Sequence, residues 1–178
     1  MNCRTKKFML ALAVLLASST LASAQANPVT SAVKEILPRQ QKNLVGAAEE
    51  MPADKFGYKP TAPQMSFGHL IVHIAESNNS LCAAIGNLSA PASANLKETD
   101  SKEKLLAALR ESFEFCNGVL AKVDDSKLND PVELWGGRKG TVAFALIALT
   151  NDWADHYSAA AMYLRLNGML PPSAQKKK

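Results

Sequence analysis

After residue 28, apolar positions recur at three- and four-residue intervals, and four stretches keep that period long enough to predict helices. The first spans about Val29 to Glu50, with an interruption or loosening expected at Pro38, and stops before Pro52 and the Gly57-Tyr58-Lys59-Pro60 loop. The second starts at Ser66, whose hydroxyl suits an N-cap. It runs to about Asn87 with Leu70, His73, Ser77, Leu81 and Ala84 as its core face. The third begins after Asp100, with Glu103 in a capping-box relation, and carries Leu105, Leu106, Leu109, Phe113, Cys116 and Leu120. Trp135-Gly136-Gly137 reads as a turn. The fourth helix runs from near Thr141 to Asn167, where Gly168 and Pro171-Pro172 close it. With no internal repeat, four such helices predict an all-α protein, a four-helix bundle in one domain.

Two polar residues break the apolar pattern of the fourth helix. Ala145, Leu149, Asp152, His156, Ala159 and Tyr163 follow the spacing of a core-facing seam, which puts a carboxylate and an imidazole, one turn apart, where Leu or Ala would be expected. Buried polar groups need partners. A divalent cation would satisfy both, with His73 of the second helix as third ligand: two His and one carboxylate, the donor set of an open metal site. The plainer readings are a buried Asp152–His156 pair without metal and a satisfied core His73. His69, one turn before His73, is a further candidate ligand; Asp155 and Glu76 are candidate outer partners. Gly136-Gly-Arg-Lys-Gly140-Thr141 precedes a helix but lacks the spacing of a phosphate loop, so it reads as a turn.

The ends of the chain change the charge picture. Residues 1–24 combine Arg4, Lys6 and Lys7, an apolar run from Phe8 to Leu21, and Ala22-Ser23-Ala24, which reads as a secretory signal peptide cleaved after Ala24. The run is shorter than the roughly 20 residues a spanning helix needs, so no stable membrane insertion is expected once it is cleaved. Its loss lowers the formal charge from +4 by three to +1, and the remaining excess gathers in the basic tail 176–178. That balance argues against a nucleic-acid partner. The mature domain is 25–175, expected in the periplasm or secreted, and a homodimer is compatible with it.

Met51-Pro-Ala-Asp-Lys-Phe-Gly-Tyr-Lys-Pro-Thr61, Ser66-Phe-Gly-His-Leu-Ile-Val-His73, Asp155-His156-Tyr157 and Tyr163-Leu-Arg-Leu-Asn-Gly168, in that order and at those distances, resemble DinB-like proteins over essentially the whole mature chain. The resemblance implies a divalent metal held by one histidine of the second helix and two, four residues apart, on the last. By position these are His73, Asp152 and His156, with Asp152 standing where the family usually has His. A carboxylate still suits Zn, Ni, Fe or Mn but leaves the metal's identity open. The resemblance also implies a bundle whose second and third helices run parallel. Leu88 to Asp100 must then cross over, and 13 extended residues reach roughly 43 Å against a helix of about 33 Å.

The same topology bears on Cys82 and Cys116, the two cysteines beyond the signal segment. In antiparallel helices they would stand about 15 Å apart and could not pair. In the parallel arrangement that the resemblance implies they are level, and an oxidising compartment permits a bond. Relatives implied by the resemblance include thiol-dependent transferases or isomerases and hydrolase candidates. Two functions stay open: a metal-dependent enzyme of transferase or hydrolase type acting on a small-molecule substrate, and a non-catalytic metal-binding or stress-related bundle. An accessible cleft favours the first and a closed core the second.

Overall fold

The computed structural model describes residues 27–91 and 96–176. The expected signal peptide, residues 1–24, lies outside the described residues, as do the last two lysines of the tail. Four helices form where the apolar period predicts them: α1 Pro28–Glu50, α2 Phe67–Gly86, α3 Lys102–Leu120 and α4 Val142–Leu166. Among the described residues, no helix is long and apolar enough to cross a membrane.

Three helices carry their own start signals. Ser66, Ser101 and Thr141 accept hydrogen bonds from the backbone N–H of His69, Lys104 and Phe144. The cap of α3 is therefore Ser101; Asp100 instead accepts from the Lys97 N–H and pairs with Lys104 at 2.8 Å. At the end of α4, Gly168 adopts φ 78° and the Met169 N–H reaches back to the Leu164 carbonyl.

Helix α1 borrows both caps from distant sequence. The Asp125 carboxylate accepts from the N–H groups of Val29 and Thr30 at 2.9 and 2.8 Å, and the Lys102 ammonium donates to the Glu49 and Met51 carbonyls. Pro38 does not interrupt this helix. It sits on the exposed face, and the buried Val33, Leu37 and Leu44 hold the helix through the missing hydrogen bond.

The direction of α3 follows from side-chain pairs. Asn78 donates to Ser112 and Cys82 is disulfide-bonded to Cys116, so both pairs are separated by 34 residues. A constant offset means parallel helices. The crossover between them returns to the start of α2, where Ser66 Oγ donates to Glu98 at 2.7 Å. Helices α2 and α1 each pack against both α3 and α4, so the order around the bundle is α1, α3, α2, α4.

The core holds Trp153, Phe67, Phe113 and Leu44 among its largest fully buried side chains. Three of its side chains form a polar relay: Trp153 Nε1 donates to Asn78 Oδ1 at 2.6 Å, Asn78 to Ser112 at 3.0 Å, and Ser112 to the Leu109 carbonyl at 2.8 Å. The most buried face of α2 thus includes Ile71, Ile74, Asn78 and Cys82, while His73, Ser77 and Ala84 are only half-buried. Between α3 and α4 a short antiparallel hairpin, β1 Pro131–Glu133 and β2 Lys139–Thr141, stands where the sequence reading expects only a turn.

Gly68 marks where the crossover presses on α2. A Cβ there would lie 2.4 Å from the Glu98 carbonyl oxygen and 3.4 Å from that of Phe56, both backbone atoms that cannot swing aside. Gly68→Ala is expected to destabilise the fold by about 1–3 kcal/mol, the usual range for overpacking. Urea unfolding measures it; an unchanged midpoint would show that the crossover is free to move.

Candidate metal site

His73, Asp152 and His156 are half-buried at the edge of the core, which leaves them accessible. His73 leaves α2 on the flank that faces α4, and Asp152 and His156 leave α4 one turn apart on the flank that faces α2. Each of the three offers a ligand atom within 4.8 Å of the others, so residues 79 positions apart in sequence form one cluster. The imidazoles of His73 and His156 lie 4.7 Å apart, centroid to centroid.

The orientation of His156 is fixed locally. Its Nδ1 lies 2.7 Å from the Asp152 backbone carbonyl, which can only accept, so Nδ1 carries the proton and Nε2 keeps the lone pair. A backbone carbonyl on the far nitrogen is the usual support of a ligating histidine. It takes the part for which the sequence offers Asp155, which is instead exposed.

Asp152 is the least settled member. Its Oδ1 is 3.5 Å from His156 Nδ1, but its Oδ2 is buried without a hydrogen-bond partner. Burial raises its carboxyl above the ordinary range, opposed by His156 and His73, reinforced by Asp155 and opposed again by the Ser77 hydroxyl. An orphaned carboxylate oxygen beside two imidazoles fits a divalent cation, which would supply the missing partner.

His69 does not join the cluster. It is exposed on the previous turn of α2, with Nδ1 3.2 Å from Glu98 at the crossover.

An open cavity of about 400 Å³ reaches the cluster from outside. His73 and Asp152 form part of its wall, Ser77, Leu81 and Ala148 continue it, and Glu76, Ser80 and Trp135 complete it. Sequence reasoning misses Trp135 as a wall residue, because its Gly-Gly neighbours signal a turn without saying where the turn folds to.

The metal-free stability of the cluster follows from the Asp152 shift. A carboxyl that holds its proton more tightly when folded contributes stability at low pH that is lost as pH rises through its raised value. Metal-free Asp152→Asn is therefore expected to melt above metal-free wild type at pH 7. The gap should close below the ordinary carboxylate range. A scan of both proteins with chelator at pH 7 and pH 3.5 checks it, and a lower melting temperature for the variant at pH 7 contradicts it.

Solved structures share this arrangement of helices. A crystal structure of a DinB-like protein from Bacillus subtilis is 21% identical, covers 81% of this chain and 99% of its own, and superposes with a TM-score of 0.65. A DinB-like protein from Bacillus cereus is 14% identical, covers 75% of this chain and 89% of its own, with a TM-score of 0.61. At these identities the likeness shows the fold. No curated protein matches the chain. Residues 36–160, more than half of the chain and spanning all three members of the cluster, match the profile of the DinB superfamily, to which this chain therefore belongs.

Proposed function

We propose that the protein is exported, binds one divalent ion through His73, Asp152 and His156, and acts as a metal-dependent enzyme of transferase or hydrolase type on a small molecule. The observation that carries this reading is the cavity that opens on His73 and Asp152, because a site used only to hold metal has no need of adjoining substrate-sized space. A divalent ion bound there would supply Lewis acidity toward a substrate oxygen or sulfur.

The side chains supply the setting. Asp152 offsets part of the ion's charge, the Asp152 carbonyl fixes the ring of His156, and Leu81 and Ala148 give the approach an apolar wall that limits water. Two imidazoles and one carboxylate suit Zn, Ni, Fe or Mn. The test is reconstitution with each of these metals and a screen of ester, amide and thiol-transfer substrates against wild type and Asp152→Asn. Turnover by a loaded wild type and not by the variant supports an enzyme; tight metal without turnover of any class leaves a metal-binding bundle.

Export is supported by the charged, apolar and small-residue succession of residues 1–24 and by a disulfide in the bundle, since such bonds persist in oxidising compartments. Intact mass of the protein recovered from its native host should place the N-terminus at Gln25. A full-length cytosolic product would rule export out.

A further inference from the structure

The outer half of the cavity carries chemistry that the metal ligands do not use. Trp135 is 53% exposed, whereas Trp153, the other tryptophan, is fully buried. Its position is built rather than incidental. Gly136 and Gly137 turn with φ 65° and 75°, the Leu134 N–H donates to the Arg138 carbonyl across the turn, and the Arg138 N–H donates to the Trp135 carbonyl. Phe144 packs beside the indole at 6.5 Å between centroids, with the Arg138 guanidinium 4.4 Å from the Phe144 ring centre. The hairpin thus presents an aromatic ring to the cavity, where Leu81 and Ala148 supply further apolar wall.

The charges of the same cavity have one sign. Glu76 and Asp152 line it and no Lys or Arg does, and Glu76 makes no ion pair among the described residues. Glu76 stands about one turn beyond His73 on α2, is exposed, and is not one of the three residues of the metal cluster. An exposed indole and a carboxylate around one cavity are the two elements that recognise an organic cation: the ring through its negative face, the carboxylate through charge. In the metal-free protein an anionic ligand meets two carboxylates and no Lys or Arg in this lining.

We propose that Trp135 and Glu76 form a subsite for the ammonium group and apolar body of an amine substrate, holding it so that its reactive end points to His73 and Asp152. The assignment of what lies at that reactive end rests on the metal reading above; the amine selectivity does not. Ser77 and Ser80, on the same stretch of α2, offer hydroxyls to the part of the substrate between the two ends.

The experiment uses the mature protein stripped with chelator, so its outcome is independent of metal. Benzylamine, benzyl alcohol and benzoate are titrated while tryptophan emission is followed. Benzylamine should quench saturably, with benzyl alcohol weaker by about fivefold and benzoate weaker still. Glu76→Gln should bring benzylamine to the level of benzyl alcohol. Trp135→Phe should remove the quenching, since Trp153 is out of reach, and circular dichroism confirms that both variants are folded. Equal binding of benzoate and benzylamine, no saturable binding of benzylamine, no effect of Glu76→Gln, or quenching that survives in Trp135→Phe each overturns the subsite. A protein that selects amines yet never holds metal sinks the metal reading alone; one that holds metal yet ignores ligand charge sinks only this one.

Discussion

His156→Ala is expected to hold no stoichiometric metal, against about one divalent ion per wild-type chain. The variant keeps only His73 and Asp152, and two ligands from different helices cannot close a site on their own. Loss of even a supporting partner of a metal ligand costs about 10–100-fold in affinity, so loss of a ligand should cost more than about a hundredfold. Asp152→His should retain metal, because the imidazole restores a third donor at the same helical position, and His69→Ala should behave as wild type because Glu98 holds that ring outside the cluster. Binding should weaken in acid, because the ligands must be deprotonated to coordinate and protons compete with the cation. Elemental analysis after reconstitution and desalting reads all four proteins. A metal-free wild type, or His156→Ala loaded like wild type, would leave a buried Asp152–His156 pair as the whole meaning of the cluster and remove the main support for an enzyme.

How much of this is legible in the sequence depends on the range of the interactions. The helices are local statements: a 3.6-residue period and a hydroxyl ahead of it place α2 and α4 to within a residue of where they stand. The cap of α3 is missed by one residue because Asp100 and Ser101 are both good caps, and only the packed structure shows that Asp100 is engaged with Lys97 and Lys104. The caps of α1 are beyond any local rule, since Asp125 and Lys102 come from the far side of the chain.

The site divides in the same way. Asp152 and His156 are readable as a pair because one helical turn joins them, and His73 is readable only by asking what else could satisfy them. What periodicity does not give is the rotation of each helix. The stripes through His73 and Asp152 pass for core seams, yet Asn78 and Trp153 take the centre through their hydrogen bond and push the would-be ligands to the flank where a cavity can reach them. The hairpin that carries Trp135 was hidden for a related reason. Its strands are three residues each, too short for alternation to stand out beside Gly136 and Gly137.

Replacing Cys82 and Cys116 together by alanine should produce the largest loss of stability of any substitution considered. The bond joins α2 to α3 across 34 residues of sequence, including the whole crossover, with Cα atoms 5.2 Å apart and both residues fully buried. Closing a loop of that length removes unfolded-state freedom equivalent to about 4 kcal/mol in the chain-entropy account. For a chain of this size that corresponds to a fall in melting temperature of roughly 10 °C. The effect is specific to the parallel topology: without the bond, the crossover must be held by weaker ties such as Ser66 to Glu98, and the packing of α3 against α2 loses its covalent register. Wild type denatured without reductant should show no free thiol, and the same protein denatured with reductant should show two. Thermal unfolding of wild type and the double variant then gives the magnitude. Two free thiols in unreduced wild type, or a double variant that melts with it, would mean that the two helices are held by their apolar faces and the buried relay through Asn78 and Ser112 alone.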